Sequence, residues 1–157
     1  MNEHGEAREL TQQERRHFSQ MLDKLHQCCS DSHASLAEQC GIPQAELRCL
    51  TLFGQERYLT AKGIAASLGI ARSRVTKLVS GLAEKNLLVR VADPADSRVV
   101  LLALTPAGQK LRQEIADRQR ALRDAVLAAI APDRRHMVLQ SLDLLKAAME
   151  RVGEASA

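Results

Sequence analysis

Tryptophan is absent from this chain, and one tyrosine and two phenylalanines are its only aromatic residues. Proteins that grip single-stranded nucleic acid stack bases on exposed rings, and so few rings argue against that mode. No apolar run approaches the ~20 residues that span a bilayer, so no membrane partner is expected. The first residues, Met1 to Glu6, lack the basic start and apolar middle of a signal peptide, which makes a cytoplasmic setting the expectation. Neither a Cys-x-x-Cys pair nor a glycine-rich cofactor loop is present, so no enzyme is expected. The most informative absence is local. Between Glu56 and Glu84 there is no Asp or Glu, in a chain that has 19 acidic residues.

Inside that gap stand Arg57, Lys62, Arg72, Arg74 and Lys77. A surface with cations and no carboxylates can approach a polyanion, and phosphate attraction supplies most sequence-independent affinity for DNA. The net charge of +3 is modest, so the local distribution carries the meaning. At 157 residues, 45% hydrophobic and 26% charged, the chain fits one domain, or a small domain with added dimerisation helices.

The periodicity places these residues on elements. A long helix is expected from Leu10 to Cys40, where Gly41 suits a C-terminal cap and Pro43 the next helix start. A second helix follows over about Gln44–Gly54. Thr60 caps a short third helix that runs through Leu68 with Ile64 and Leu68 inward, and Gly69 sits where a tight turn is needed. The fourth helix covers about Ala71–Lys85, burying Val75, Leu78, Val79 and Leu82 and showing Arg72, Ser73, Arg74, Thr76 and Lys77. The apolar runs Leu88–Ala92 and Val99–Leu104 read as a hairpin around a polar turn. Thr105 and Pro106 then start a long helix to about Ile130, and Pro132 opens the last one. Along that last helix Val138, Leu142, Leu145, Met149 and Val152 form a heptad-like stripe.

Helix, turn, basic helix and hairpin make a winged helix-turn-helix, so the expected class is mainly α with a small β-hairpin wing and long dimerisation helices. A helix fits the major groove, where each base pair shows its own donors and acceptors. Arg72, Arg74 and Lys77 can bond base edges or phosphates, with Ser73 and Thr76 short enough for close polar contacts. Arg98 at the hairpin tip suits a narrow minor groove; its other reading is an ion pair with Asp96 or Asp93. Arg90 reads equally as a phosphate contact or a plain surface residue.

These residues resemble the multiple-antibiotic-resistance regulator (MarR) family. The likeness is densest in Leu59–Ala65, in Gly69–Lys77, and in Asp93–Arg98 with Leu104-Thr105-Pro106-Ala107-Gly108 after it. The resemblance implies one domain over 1–157, with a winged helix-turn-helix at 44–105 and dimerisation helices at 10–40 and 106–152. It further implies a homodimeric transcriptional regulator, usually a repressor, straddling a palindromic operator in double-stranded DNA. Arg98 would enter the minor groove and Asp96 would help fix the wing. Ala71 departs from the family, which often has Ser there, and alanine cannot cap a helix through its side chain.

All four cysteines, Cys28, Cys29, Cys40 and Cys49, lie within one short stretch. Adjacent Cα atoms stand ~3.8 Å apart, so Cys28 and Cys29 are poorly placed to bond each other. His26, Cys29 and His33 share a helix face, and with Cys40 and Cys49 they could converge on zinc or an iron–sulfur cluster. The candidate metal ligands are thus Cys28, Cys29, His33, Cys40 and Cys49. The other readings are a thiol redox sensor using the same four cysteines, or small buried packing residues with no cofactor. A small molecule, a metal or an oxidant is accordingly a candidate effector. The rival function is a winged-helix protein that binds a small-molecule or metal ligand and acts through protein contacts instead of DNA.

Overall fold

A computed structural model of the chain describes residues 9–54, 56–96 and 98–155. The elements run α1 (Gln12–Gln39), α2 (Gln44–Leu52), β1 (Leu59–Thr60), α3 (Ala61–Leu68), α4 (Arg72–Glu84), β2 (Leu88–Ala92), β3 (Val100–Leu104), α5 (Pro106–Ala129) and α6 (Pro132–Ala155). The expected class, mainly helical with a small β wing, is what the chain adopts.

Local chemistry sets the ends of these elements. Thr11 opens α1 by accepting from Glu14 N at 3.2 Å, while the Glu14 carboxylate accepts from Thr11 N at 2.8 Å. Thr60 opens α3 by accepting from Gly63 N at 3.0 Å. Gly69 closes α3 at φ +63°, a left-handed turn in which Ile70 N returns to Ala65 O at 3.1 Å. Helix α2 stops at Leu52, two residues before the expected end. There Phe53 N bonds Leu50 O at 3.2 Å, which tightens and terminates the last turn.

Both strand pairings are antiparallel, in the order β1-β3-β2. Leu88 lies opposite Leu104 and Arg90 opposite Leu102, so the buried leucines 88, 102 and 104 share the inner face. Strand β1 has no counterpart among the expected elements; two residues are too few for an alternating pattern to register. It forms because Leu59 pairs with Leu102 across the chain. Strand β3 starts at Val100 because Val99 belongs to the wing turn, bonding Asp96 O and Asp93 N through its own backbone.

The core of this part gathers Leu47 and Leu50 from α2, Ile64 from α3, Val75 and Leu82 from α4 and Leu88 from β2. The start of α5 is fastened to it at one junction. Thr105 Oγ1 donates to Asn86 O at 2.6 Å and accepts from Gly108 N at 3.0 Å, and Thr105 N donates to Leu87 O at 3.2 Å. A Cβ at position 108 would overlap the Leu87 carbonyl oxygen outright, so only glycine fits. Leu-Thr-Pro-x-Gly is therefore a cap followed by a close approach of backbone to backbone.

The chain divides into two compact units, Met1–Arg112 and Gln113–Ala157. In the second, α6 has no buried residue at all. Between α5 and α6 the Arg135 guanidinium closes the turn, with Nε donating to Leu127 O at 3.1 Å and Ile130 O at 3.0 Å, and Nη2 to Ala128 O at 3.2 Å.

Candidate nucleic-acid interface

Helix α4 splits cleanly into two faces. Val75, Leu78, Val79 and Leu82 are buried at 8% exposure or less, as expected, and they fix the helix against the core. Arg72, Ser73, Arg74, Thr76 and Lys77 are all exposed on its first half. Among the described residues, no carboxylate forms an ion pair with Arg72, Arg74 or Lys77. Their charge is thus free for an outside partner. Thr76 spends its hydroxyl donor on Arg72 O at 3.2 Å, which leaves its oxygen able only to accept.

The N-cap of α4 is Ala71, and no side chain caps that end. The first amides of the helix therefore point outward without an internal side-chain acceptor, beside two arginines. Such an end favours an anion through both its free N–H groups and the helix dipole. Ala71 implies an end capped differently or binding phosphate more weakly; the end has no side-chain cap, a geometry that does not itself measure how tightly it holds phosphate.

The wing is ordered by its own carboxylates. Asp96 Oδ1 accepts from Arg98 N at 3.0 Å and from Arg98 Nε at 3.0 Å, and Asp96 Oδ2 accepts from Nη2 at 3.3 Å. Asp93 Oδ1 accepts from Ala95 N at 2.8 Å. The Arg98 side chain, then its backbone amide, hold the Asp96 carboxyl below its usual range. Of the two readings of Arg98 the ion pair with Asp96 is present, and its side chain stays 89% exposed. An exposed pair of this kind is weak, so the guanidinium can be aimed by Asp96 and still meet another anion. Ser97, at the tip, lies outside the described residues. Arg90 is exposed on β2, and by register it shares the sheet face of Leu88.

The cysteines do not gather. Among the described residues no three His, Cys, Asp or Glu side chains are placed to hold a metal ion, so Cys28, Cys29, His33, Cys40 and Cys49 do not form the convergent ligand set entertained from their spacing. The physical reason is direction: Cys28 and Cys29 are exposed on α1, Cys40 is half-buried at its end, and Cys49 points into the core at 0% exposure. All four are free thiols. Burial, with a smaller contribution from the Glu46 charge, pushes the Cys49 thiol up to about 12. A thiol so protonated is a poor nucleophile and a good packing group.

Two features have no signal in the sequence pattern. Glu46 on α2 is 6% exposed and reaches Lys85 Nζ at 2.9 Å. An open cleft of about 540 Å³ lies against the outer face of the sheet, bordered by Phe53, Arg57, Tyr58, Val91, Gln109 and Arg112. Both depend on residues far apart in the chain.

Residues 41–99 match the MarR family. A curated relative from Bacillus subtilis (strain 168), an uncharacterized HTH-type transcriptional regulator called YsmB, is 39% identical over 67 residues. That match covers 42% of this chain and about half, 46%, of the relative. In solved structures the fold recurs in a MarR family protein from Bacillus stearothermophilus, with a TM-score of 0.80 at 18% identity over 90% of this chain and 99% of that one. It recurs again in a point mutant of S. aureus MepR bound to an oligodeoxyribonucleotide, with a TM-score of 0.61 at 20% identity over 90% of this chain and 99% of that one. No helix among the described residues is long and apolar enough to cross a membrane.

Proposed function

We propose that the chain, whose residues 41–99 match the MarR family, is a homodimeric, sequence-specific regulator of transcription that binds double-stranded DNA and acts as a repressor. The observation that carries this reading is the first half of α4, where Arg72, Arg74 and Lys77 stand exposed at an uncapped helix end. Arg74 reads a base edge in the major groove, Arg72 and Lys77 hold phosphates, and Ser73 and Thr76 make close polar contacts. Arg98, aimed by Asp96, lies along the minor groove. The chain fulfils this role without catalysis.

Support for the dimer comes from the apolar side chains exposed on α1 and α6, among them Phe18, Met21 and Leu25, and Leu142, Met149 and Val152. A second copy with the same faces can cover them, and an interface of this obligate kind buries more than ~2,000 Å². Sensing, in this reading, falls to the accessible thiols Cys28, Cys29 and Cys40; Cys49 is silent because its thiol stays protonated. The rival, a ligand-binding winged protein that acts through protein contacts, has the open cleft beside Arg57 and Arg112 in its favour.

Titration of a fluorescent promoter duplex against the protein at several salt concentrations separates the two. Binding by α4 requires affinity that falls steeply as salt rises, because each neutralised phosphate releases counterions. Affinity that is absent, or flat across salt, favours the rival.

A further inference from the structure

Glu46 is an anomaly in an otherwise apolar neighbourhood. Its carboxylate is 8% exposed, and one oxygen, Oε2, is buried with no hydrogen-bond partner. Its other oxygen takes a single cation, Lys85 Nζ, at 2.9 Å. Across from it the backbone of α4 comes so close that a Cβ on Gly81 would stand 2.7 Å from Oε1. Lys85 Nζ also reaches Gly81 O at 3.4 Å, so the lysine bridges the carboxylate to the helix it ends.

Burying a carboxylate is costly unless it is well paired, and apolar residues of like size often do as well for stability. An ion pair kept in such a place is better suited to fixing a register than to adding stability. The register in question is the rotation of α4. Arg74, Leu78, Gly81 and Lys85 recur at intervals of four, three and four residues, so they form one row along the helix. The lower end of that row is held by Glu46 of α2, and Arg74 rides on its upper end. Turning α4 by ~20° swings a side-chain head ~8 Å from the axis by ~3 Å, a full hydrogen-bond length.

We propose that Glu46 is a positioning residue for DNA reading: paired with Lys85 over Gly81, it sets the rotation of α4 and so whether Arg74 meets a base edge. The proposal rests on α4 being the DNA-reading helix. It predicts that Lys85→Met and Glu46→Gln weaken discrimination between a cognate and a scrambled duplex more than they weaken general duplex affinity. Gly81→Ala does the same from the opposite side, and only while the Glu46 side chain is there to be displaced.

The test uses the full chain and a duplex selected by the parent protein from a random-sequence pool. Anisotropy titrations give the ratio of affinities for selected and scrambled duplexes, and hydrogen exchange of α4 is followed without DNA. In Lys85→Met the ratio should fall about 10-fold with faster exchange in the second half of α4, and Lys85→Arg should restore both. Gly81→Ala should lower the ratio in the parent background and leave it unaltered in Glu46→Ala. Parental ratios in Lys85→Met and Glu46→Gln, with only the melting temperature changed, overturn the proposal and leave the pair a structural one. A parent protein that selects no duplex, or binds without salt dependence, overturns the DNA-reading role itself, whatever α4 exchange shows.

Discussion

Helices α4 and α6 both carry apolar residues at helical spacing, and the chain treats them oppositely. On α4, Val75, Leu78, Val79 and Leu82 are all buried at 8% exposure or less. On α6 nothing is buried, and Met137, Leu139, Leu142, Leu144, Met149 and Val152 are between 48% and 69% exposed. The sequence pattern alone would rank the two helices alike. What separates them is burial: α4 finds its packing partners among the described residues, whereas the apolar residues of α6 stay exposed there. A large exposed apolar surface on a helix marks an association site. One helix is packed within the chain; the other keeps an apolar face that the proposed dimer would cover.

That contrast is easiest to break on the self-contained side. Gly108→Ala drives a methyl group into the Leu87 carbonyl at the junction of Thr105, Asn86 and α5. The loss should exceed ~4 kcal/mol, in the rare severe class for single substitutions. Denaturant unfolding of parent and variant, compared at one protein concentration, should show it. A mild effect here would mean that the junction relaxes easily and does not fasten the start of α5.

Leu142→Asp tests the open side. Its side chain is worth ~2–3 kcal/mol when covered, so the dimer should dissociate about 100-fold more readily, with each unit's own folding hardly touched. Sedimentation velocity at low micromolar concentration should show the parent as a dimer and the variant shifting toward monomer. A parent that is monomeric and stable there would refute the reading of α6.

Next in size come the DNA contacts. Arg74→Ala should cost ~1–3 kcal/mol of duplex affinity and relax preference at one operator position. Arg98→Ala should cost less, ~1 kcal/mol, because Asp96 already engages its guanidinium and the side chain is otherwise in water. Fluorescence anisotropy on both variants checks the order. Reversal would move the reading role from α4 to the wing.

The smallest effect concerns Cys49. Its folded thiol is pushed up to about 12, above its ordinary value, so the stability it contributes is intact below the unfolded value near 9.0. As pH climbs from there toward about 12, the unfolded chain loses its thiol proton first, and the contribution fades. Chemical denaturation of the parent and of Cys49→Ala should therefore converge in alkali. Alkylation of native protein near neutral pH should modify Cys28 and Cys29 and spare Cys49.

Much of the fold was legible because its punctuation is local. Thr60, Gly69 and the Thr105–Pro106 step each act within three or four residues, and the observed ends of α1 to α5 fall within two residues of the expected ones. The basic face of α4 was legible for the same reason, since helical spacing alone sorts Arg72, Arg74 and Lys77 from Val75, Leu78 and Val79. Strand β1, the Glu46–Lys85 pair and the cleft were not. Each needs a partner from a distant segment, as Leu59 needs Leu102 and Glu46 needs Lys85. The cysteines show the same limit from the other side. Spacing could put His26, Cys29 and His33 on one helix face, but only packing decides that Cys49 turns into the core and away from any shared site.

The Arg135 guanidinium has a consequence for how the second unit melts. It holds the carbonyls of Leu127, Ala128 and Ile130 around the end of α5, Leu127 O also accepting from Ile130 N, from a residue in the first turn of α6. Helix ends ordinarily fray independently, each opening at a free energy of its own. Here the end of α5 and the beginning of α6 share one set of bonds, so neither can unwind without releasing the other. Two fraying points become a single cooperative event, and a weak elbow opens only when both of its helices let go together.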